Sequence, residues 1–182
     1  LENENESSRW YPGAGLYRNV HLVVNEDAHI PVWGTQLTTP IVKDEFAKVN
    51  LKTKLDVPAG KAFEGYRIVT ELKDKDGKVV AANEKKGGPF DDNVFEQDFV
   101  VTSPALWTPD TPHLYSAVSK VYEGNTLKDE YTTSFGIRSI EIIPNKGFFL
   151  NGKKTMFKGV CNHHDLGPLG GIANDAGIRR QI

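Results

Sequence analysis

Cys161, His163, His164 and Asp165 lie together near one end of the 182-residue chain, and between them they offer a thiol, two imidazoles and a carboxylate. Cys161, His163 and Asp165 are spaced by two, so an extended backbone points all three the same way. Zinc accepts these residue types, but it needs three or four ligands in tetrahedral array. One two-residue spacing with no second cluster does not supply that, so neither a metal nor a cofactor is expected. Two readings stay open. In one, the histidines satisfy neighbouring backbone groups at a polar strand end. In the other, they edge an active site, as polar residues do at the C-terminal end of a strand in a parallel α/β barrel.

The surrounding sequence decides what could position such a cluster. Asn151-Gly152 predicts a tight hairpin between Phe148-Phe149-Leu150 and Lys153-Lys154-Thr155. Met156 to Val160 reads as a short apolar strand. A Gly-rich loop follows, and then a helix start capped by Asn174 or Asp175. Strand, loop and helix in that order open an α/β unit.

Upstream the pattern differs. Asn19 to Val24 reads as a strand, and Ile30 to Thr38 as a second, with Pro31 at its start or edge. Val49, Leu51, Thr53, Leu55 and Val57 alternate with polar residues, as do Tyr66, Ile68, Thr70 and Leu72. Asp76-Gly77 predicts a hairpin returning through Lys78 to Ala82, and Asn83 to Asn93 reads as a loop. Strand character resumes from Val94 to Val101, with Phe95, Phe99 and Val101 on one face. The prolines and tryptophan of Ser103 to Pro112 exclude regular structure. Leu114 to Tyr122 and Leu127 to Phe135 are further strands, turning at Gly124-Asn125. Seven or so short strands without an intervening helix predict an all-β, immunoglobulin-like antiparallel sandwich over residues 26–143. Pro144 to Gly147 reads as its boundary. Trp33 and Trp107 are expected to plug the core or an interface.

Composition excludes several classes. A formal net charge of −2 gives no electrostatic case for nucleic acid. No apolar run is long enough to span a membrane. The single cysteine rules out an intrachain disulfide framework and leaves the compartment open. Gly13 and Gly15 lead into an extended run rather than a helix, so they form no phosphate loop. No carboxylates stand out as a catalytic pair.

Four segments, in order, resemble the family-two glycoside hydrolases, the group of β-galactosidases, β-glucuronidases and β-mannosidases. Gly15-Leu16-Tyr17-Arg18-Asn19-Val20 is similar to the last strand of that family's N-terminal jelly roll. Leu106-Trp107-Thr108-Pro109-Asp110-Thr111-Pro112-His113-Leu114-Tyr115 resembles its Trp-Ser/Thr-Pro-x-x-Pro-x-Leu-Tyr segment. Phe135-Gly136-Ile137-Arg138 matches the close of its middle sandwich. Phe149-Leu150-Asn151-Gly152 through Lys158-Gly159-Val160, with His163, matches the entry to its catalytic (β/α)8 barrel.

The resemblance implies retaining hydrolysis of β-glycosides by two glutamates, which in the family lie beyond the first barrel strand. None of the glutamates here matches them, so no catalytic residue is assigned and the chain alone is expected to be inactive. His163 matches a sugar-subsite histidine, and Asp165 a position often acidic in relatives. Where the family commonly has Asn the chain has Cys161, and where it often has Glu the chain has His164. The form Cys161-Asn162-His163-His164-Asp165-Leu166-Gly167 looks most like a β-galactosidase subgroup. Residues 1–25 are then a jelly-roll remnant and 144–182 the first strand of a truncated barrel. The expected partners are a β-linked sugar and the rest of the parent chain, with Arg138 anchoring the barrel through a carboxylate. A cell-envelope or extracellular compartment follows from family habit. The alternative is a free-standing, non-catalytic carbohydrate-binding or adhesion sandwich.

Overall fold

The computed structural model describes residues 18–25, 27–88, 93–161, 166–171 and 174–181. They fall into two compact units, one comprising Asn25–Met156 and the other Leu1–Val24 with Phe157–Ile182. In the first, β1 (Thr35–Val42), β2 (Phe46–Lys54) and β5 (Val94–Thr102) form one sheet in the order β1-β2-β5. A second sheet takes β3 (Tyr66–Lys73), β4 (Val79–Lys86), β6 (Tyr115–Glu123) and β7 (Thr126–Phe135) in the order β4-β3-β6-β7. Every pairing is antiparallel. The two sheets form the expected all-β sandwich.

The period-two residues do what their spacing dictates. Val49, Leu51, Leu55, Ile68, Leu72, Phe95, Phe99 and Val101 are all buried. On β6, where the pattern left the choice of face open, Tyr115, Ala117, Ser119 and Val121 point inward. The core falls into two apolar clusters, one around Leu51, Leu72, Phe99 and Phe135, the other around Ile30, Leu55, Ile68 and Phe95.

Buried polar side chains also tie the sheets together. Thr70 Oγ1 donates to Gln97 Oε1 at 2.8 Å. With its single proton so used, Thr70 accepts from Ser119 Oγ at 2.9 Å. Gln97 Nε2 donates to the carbonyls of Ile68 and Asn83 at 3.3 and 3.0 Å. One glutamine on β5 thus fastens β3 and β4 of the other sheet. Three more bonds join the first strand region to the last: Ile30 N–H to Asp129 Oδ2, Thr35 Oγ1 with Thr133 Oγ1, and Thr39 Oγ1 to the Arg138 carbonyl. At the start of β6 the Tyr115 hydroxyl accepts from Ala105 N–H at 2.8 Å, and its ring stacks on Phe135 at 5.7 Å. A tyrosine bonding back to upstream backbone there is characteristic of immunoglobulin-like sandwiches.

Several expectations are corrected. The strand expected from Ile30 begins at Thr35. Pro31 to Gly34 form a turn closed by Gly34 N–H to the Pro31 carbonyl at 2.7 Å, with Trp33 at φ 60°. Trp33 does not plug the core: it is 90% exposed. β4 continues through the polar residues Asn83 to Lys86, because its ladder to β3 needs backbone alone and its side chains lie at a sheet edge. Pro144 to Lys146, at the expected boundary, form a hairpin turn. It joins β8 (Ile140–Ile143) to β9 (Gly147–Leu150), and β10 (Lys153–Lys154) completes a small three-stranded sheet. The Asn151-Gly152 turn is as predicted, with φ 50° and 73°, the signature of a type I′ hairpin.

In the second unit, Asn19 to Val24 and Phe157 to Val160 form no strand. A strand is stable only against a neighbour, and no ladder forms on either among the described residues. A seven-residue helix, α1 (Asp175–Gln181), is capped by Asn174 Oδ1 accepting from Gly177 N–H. Arg18 to Val20 alone of the Gly15–Val20 motif lie within the described residues.

The crossbar makes a prediction. Replacing Gln97 by leucine takes the acceptor from the Thr70 hydroxyl, which keeps only Ser119, and the amide donor from the Ile68 and Asn83 carbonyls, and is expected to cost ~3 kcal/mol in urea unfolding. Adding Thr70→Val together with Ser119→Ala removes both hydroxyls of the broken network and should recover about 1 kcal/mol or more of that loss.

Candidate functional site at the exit of the sandwich

Three of the segments singled out in the sequence meet where the chain leaves β7. Phe135 ends the strand, Gly136 to Ser139 cross to β8, and Ile137 is fully buried in the core. Ile137 accepts from Trp107 N–H at 2.8 Å, closing the proline-rich segment onto the exit. Gly136 is required by space: a Cβ there would lie 2.7 Å from the Trp107 Cβ. The Arg138 guanidinium lies 4.8 Å from the centre of the Trp107 ring, a cation–π contact. Among the described residues Arg138 pairs with no carboxylate within 4.0 Å, so tryptophan is its partner there.

Asn151 completes the clamp from the next hairpin. Its Oδ1 accepts from Ser139 N–H at 2.9 Å, and its Nδ2 donates to the Trp107 carbonyl at 3.0 Å. Its own N–H donates to the Ser139 carbonyl at 2.9 Å. The left-handed conformation at Asn151, costly for most residues and tolerated by asparagine, aims the amide at both partners. The sequence signalled Asn151 only as a turn residue. Nothing in it marked the second role, which depends on a contact 44 residues away.

The clamp borders a groove of about 680 Å³ whose walls include Thr38, Pro40, Trp107, Leu114, Arg138 and Ile140. Leu114 and Ile140 are exposed there, and Ile142 beyond them is 77% exposed. The chemistry of this arrangement is positional. Guanidinium, indole and amide set the direction in which the chain leaves the sandwich, and no acid–base pair lies among them.

Of the sequence-identified site residues, His163 and Asp165 lie outside the described residues, as does His164. Cys161 is described and is an exposed free thiol. Elsewhere the clearest electrostatic cluster is Glu123, which receives bonds from Lys61 and Tyr66 and pairs with Lys128 at 3.3 Å. Lys128 first, then Lys61, hold its carboxyl below the ordinary value of 4.5. Burial, then the Glu123 charge, raises the Tyr66 phenol above 10.0.

Asn151→Asp tests the clamp. The variant keeps the acceptor for Ser139 N–H but sets an anionic oxygen against the Trp107 carbonyl. It is expected to cost about 2 kcal/mol at neutral pH. The introduced carboxyl must protonate to restore a donor, so its folded pKa is raised. The deficit therefore shrinks as pH falls through that raised value toward the ordinary carboxylate pKa of about 4, which thermal melts from about pH 7.5 down to about pH 4 would read.

The family described as "Glycosyl hydrolases family 2" matches residues 28–138, the span that holds the sandwich and the Trp107–Arg138 contact. The chain is 41% identical over 181 residues to the β-galactosidase BoGH2A of Bacteroides ovatus, covering 98% of this chain and 21% of that protein. A solved family 2 structure from Bacteroides cellulosilyticus superposes with a TM-score of 0.85 at 34% identity, over 95% of this chain and 22% of that one. The β-glucuronidase of Bacteroides uniformis superposes at 0.81 with 27% identity, over 97% and 22%. The chain thus spans about a fifth of the length of the proteins it resembles. Its fold, its exit clamp and these likenesses agree: the chain belongs to glycosyl hydrolase family 2.

Proposed function

We propose that this chain is an internal segment of a longer retaining β-glycosidase that acts on β-galactosides. The observation that carries the reading is the 41% identity, over nearly the whole chain, to a relative named a β-galactosidase. Residues 1–25 are the end of a jelly roll, 26–143 the sandwich, and 144–182 the entry to the (β/α)8 barrel. The exposed Val20, Leu22 and Val24 on one side, and Met156, Phe157 and Val160 on the other, support that division. They are strand-like apolar stretches that neighbouring domains would cover.

The chemistry needs two carboxyl groups about 5–5.5 Å apart, one as acid/base and one as nucleophile. These belong to the rest of the barrel, and the segment alone is silent. Its own contribution is twofold. The clamp fixes the path of the chain from β7 into the β8–β9 hairpin, and Arg138 and the groove beside Trp107 are offered to the rest of the protein. By the resemblance of their motif, His163 and Asp165 contribute to the sugar subsite.

The test uses the longer protein and the 182-residue chain side by side on nitrophenyl β-glycosides. The longer protein is expected to hydrolyse the galactoside with retention of anomeric configuration, and the chain to release nothing. His163→Ala should lower kcat/KM by about tenfold or more, ~1.4 kcal/mol in the transition state, with Tm unchanged. A preference for the glucuronide would overturn the galactoside assignment. An inactive longer protein would sink the whole reading.

A further inference from the structure

Trp33 is the most conspicuous group that this reading leaves unused. An indole 90% exposed is unusual for so large an apolar surface. It is also held still. The turn from Pro31 to Gly34 is closed at 2.7 Å, and the Gly34 carbonyl accepts from Lys54 N–H at 2.6 Å, tying the turn to β2. Trp33 itself sits at φ 60°, where a non-glycine residue carries strain. A strained, rigid, solvent-facing aromatic is arranged for contact rather than for packing.

What lies beside it narrows the contact. Trp33 borders an open groove of about 510 Å³, a size suited to a small ligand, lined also by Gln36, Lys52, Lys54, Val94 and Glu96. The outer face of β1-β2-β5 carries these groups in register. Gln36 stands beside Lys52 and Lys52 beside Glu96, and in the next row Thr38, Asn50 and Asp98 align. The result is a flat lattice of planar amides, carboxylates and ammonium groups with an aromatic plane at one end. Its charges are internally balanced. Lys52 pairs with Glu96 and Lys54 with Asp56, both at 3.6 Å, and Asn50 donates to Glu96 and Asp98 at 2.9 Å. A docking surface for a protein core would be more apolar. A site for an anion would leave its lysines unpaired.

We propose that Trp33 and the Gln36–Lys52–Glu96 row form a binding site for a neutral pyranoside. The C–H face of a sugar ring would stack on the indole, whose π face is electron-rich. The equatorial hydroxyls would bond to Gln36 and to the Lys52–Glu96 pair, each of which can donate or accept alongside its present partner. The site lies wholly within the sandwich. It goes beyond the proposed hydrolysis and does not depend on it.

The experiment titrates the nitrogen-labelled 182-residue chain with β-galactotriose, following the backbone amide resonances of Lys52 and Glu96 in every variant and, where tryptophan is present, the indole N–H resonance that vanishes in Trp33→Phe. Methyl β-glucuronide serves as the anionic comparison. Saturation with Kd on the order of 1 mM for the neutral sugar is expected. Trp33→Ala should weaken it by about tenfold or more, Trp33→Phe by less, with Tm unchanged in both. Gln36→Ala should also weaken it while leaving the resonance of Trp33 in place. No saturation below about 20 mM, equal affinity in Trp33→Ala, or tighter binding of the glucuronide would each overturn the proposal. So would finding that Trp33→Ala lowers the stability of the longer protein without affecting sugar binding, which would make the indole a domain contact. Because the titration needs no catalysis, its failure leaves the hydrolase reading standing, and its success does not establish that reading.

Discussion

Two sheets of an antiparallel sandwich are free to slide unless something other than hydrophobic burial fixes them. Apolar contact is non-directional, and many offsets would bury nearly the same area. Here Gln97 removes that freedom. Its amide must find one hydroxyl and two specific carbonyls at once, and sliding one sheet over the other would part it from Thr70 and from the Ile68 and Asn83 carbonyls together. The apolar clusters provide the driving force, and the glutamine selects one arrangement. Everything at the end of β7 inherits that choice. The distance between Thr39 on one sheet and Arg138 beyond the other is set by how the sheets lie.

The exit clamp carries the same logic outward. A hinge between domains is soft when the connecting backbone is free. Between Gly136 and Ser139 it is held by the buried side chain of Ile137, the Thr39 hydroxyl, the Asn151 amide and the stacked faces of Trp107 and Arg138. Under the function proposed above, a sandwich that leaves its connection no slack would serve as a bracket for chemistry that depends on placing a sugar to within about 1 Å. The sugar-binding role proposed for Trp33 would add a second function to that bracket.

Much of this was legible in the residues. β2, β3 and β5 announce themselves by alternation, and the turns at Gly77, Gly124 and Gly152 by their glycines, because these signals are local. Non-local features were hidden. Gln97 sits at the same parity as Phe95 and Phe99, yet a polar type among aromatics does not declare itself inward-facing until its partners on another sheet are known. The polar tail of β4 looked like a loop because an edge strand needs only backbone bonds. A tryptophan is expected to plug a core or an interface, and nothing local marks Trp33 as an exception. Its exposure follows from a turn whose closure from Pro31 to Gly34 had no glycine where φ is positive. The cluster at His163 stands out by residue type alone, and two other segments show why type is not enough: Asn19 to Val24 and Met156 to Val160 have strand sequences and no ladder among the described residues.

The bonds from Ile30 to Asp129, Thr35 to Thr133 and Thr39 to Arg138 each span 98 or 99 residues. Seen from the ribosome, that separation is a delay. At about 5–20 residues per second, the first strand waits roughly 5–20 s for the last to be made. During that time Val49, Leu51 and Phe95 can be covered only partly. The sheet edge that β1 presents is then open to chains other than its own. Pro40 within β1 and the lysines along β2 suit that interval, because they discourage a neighbouring nascent chain from adding itself to the sheet.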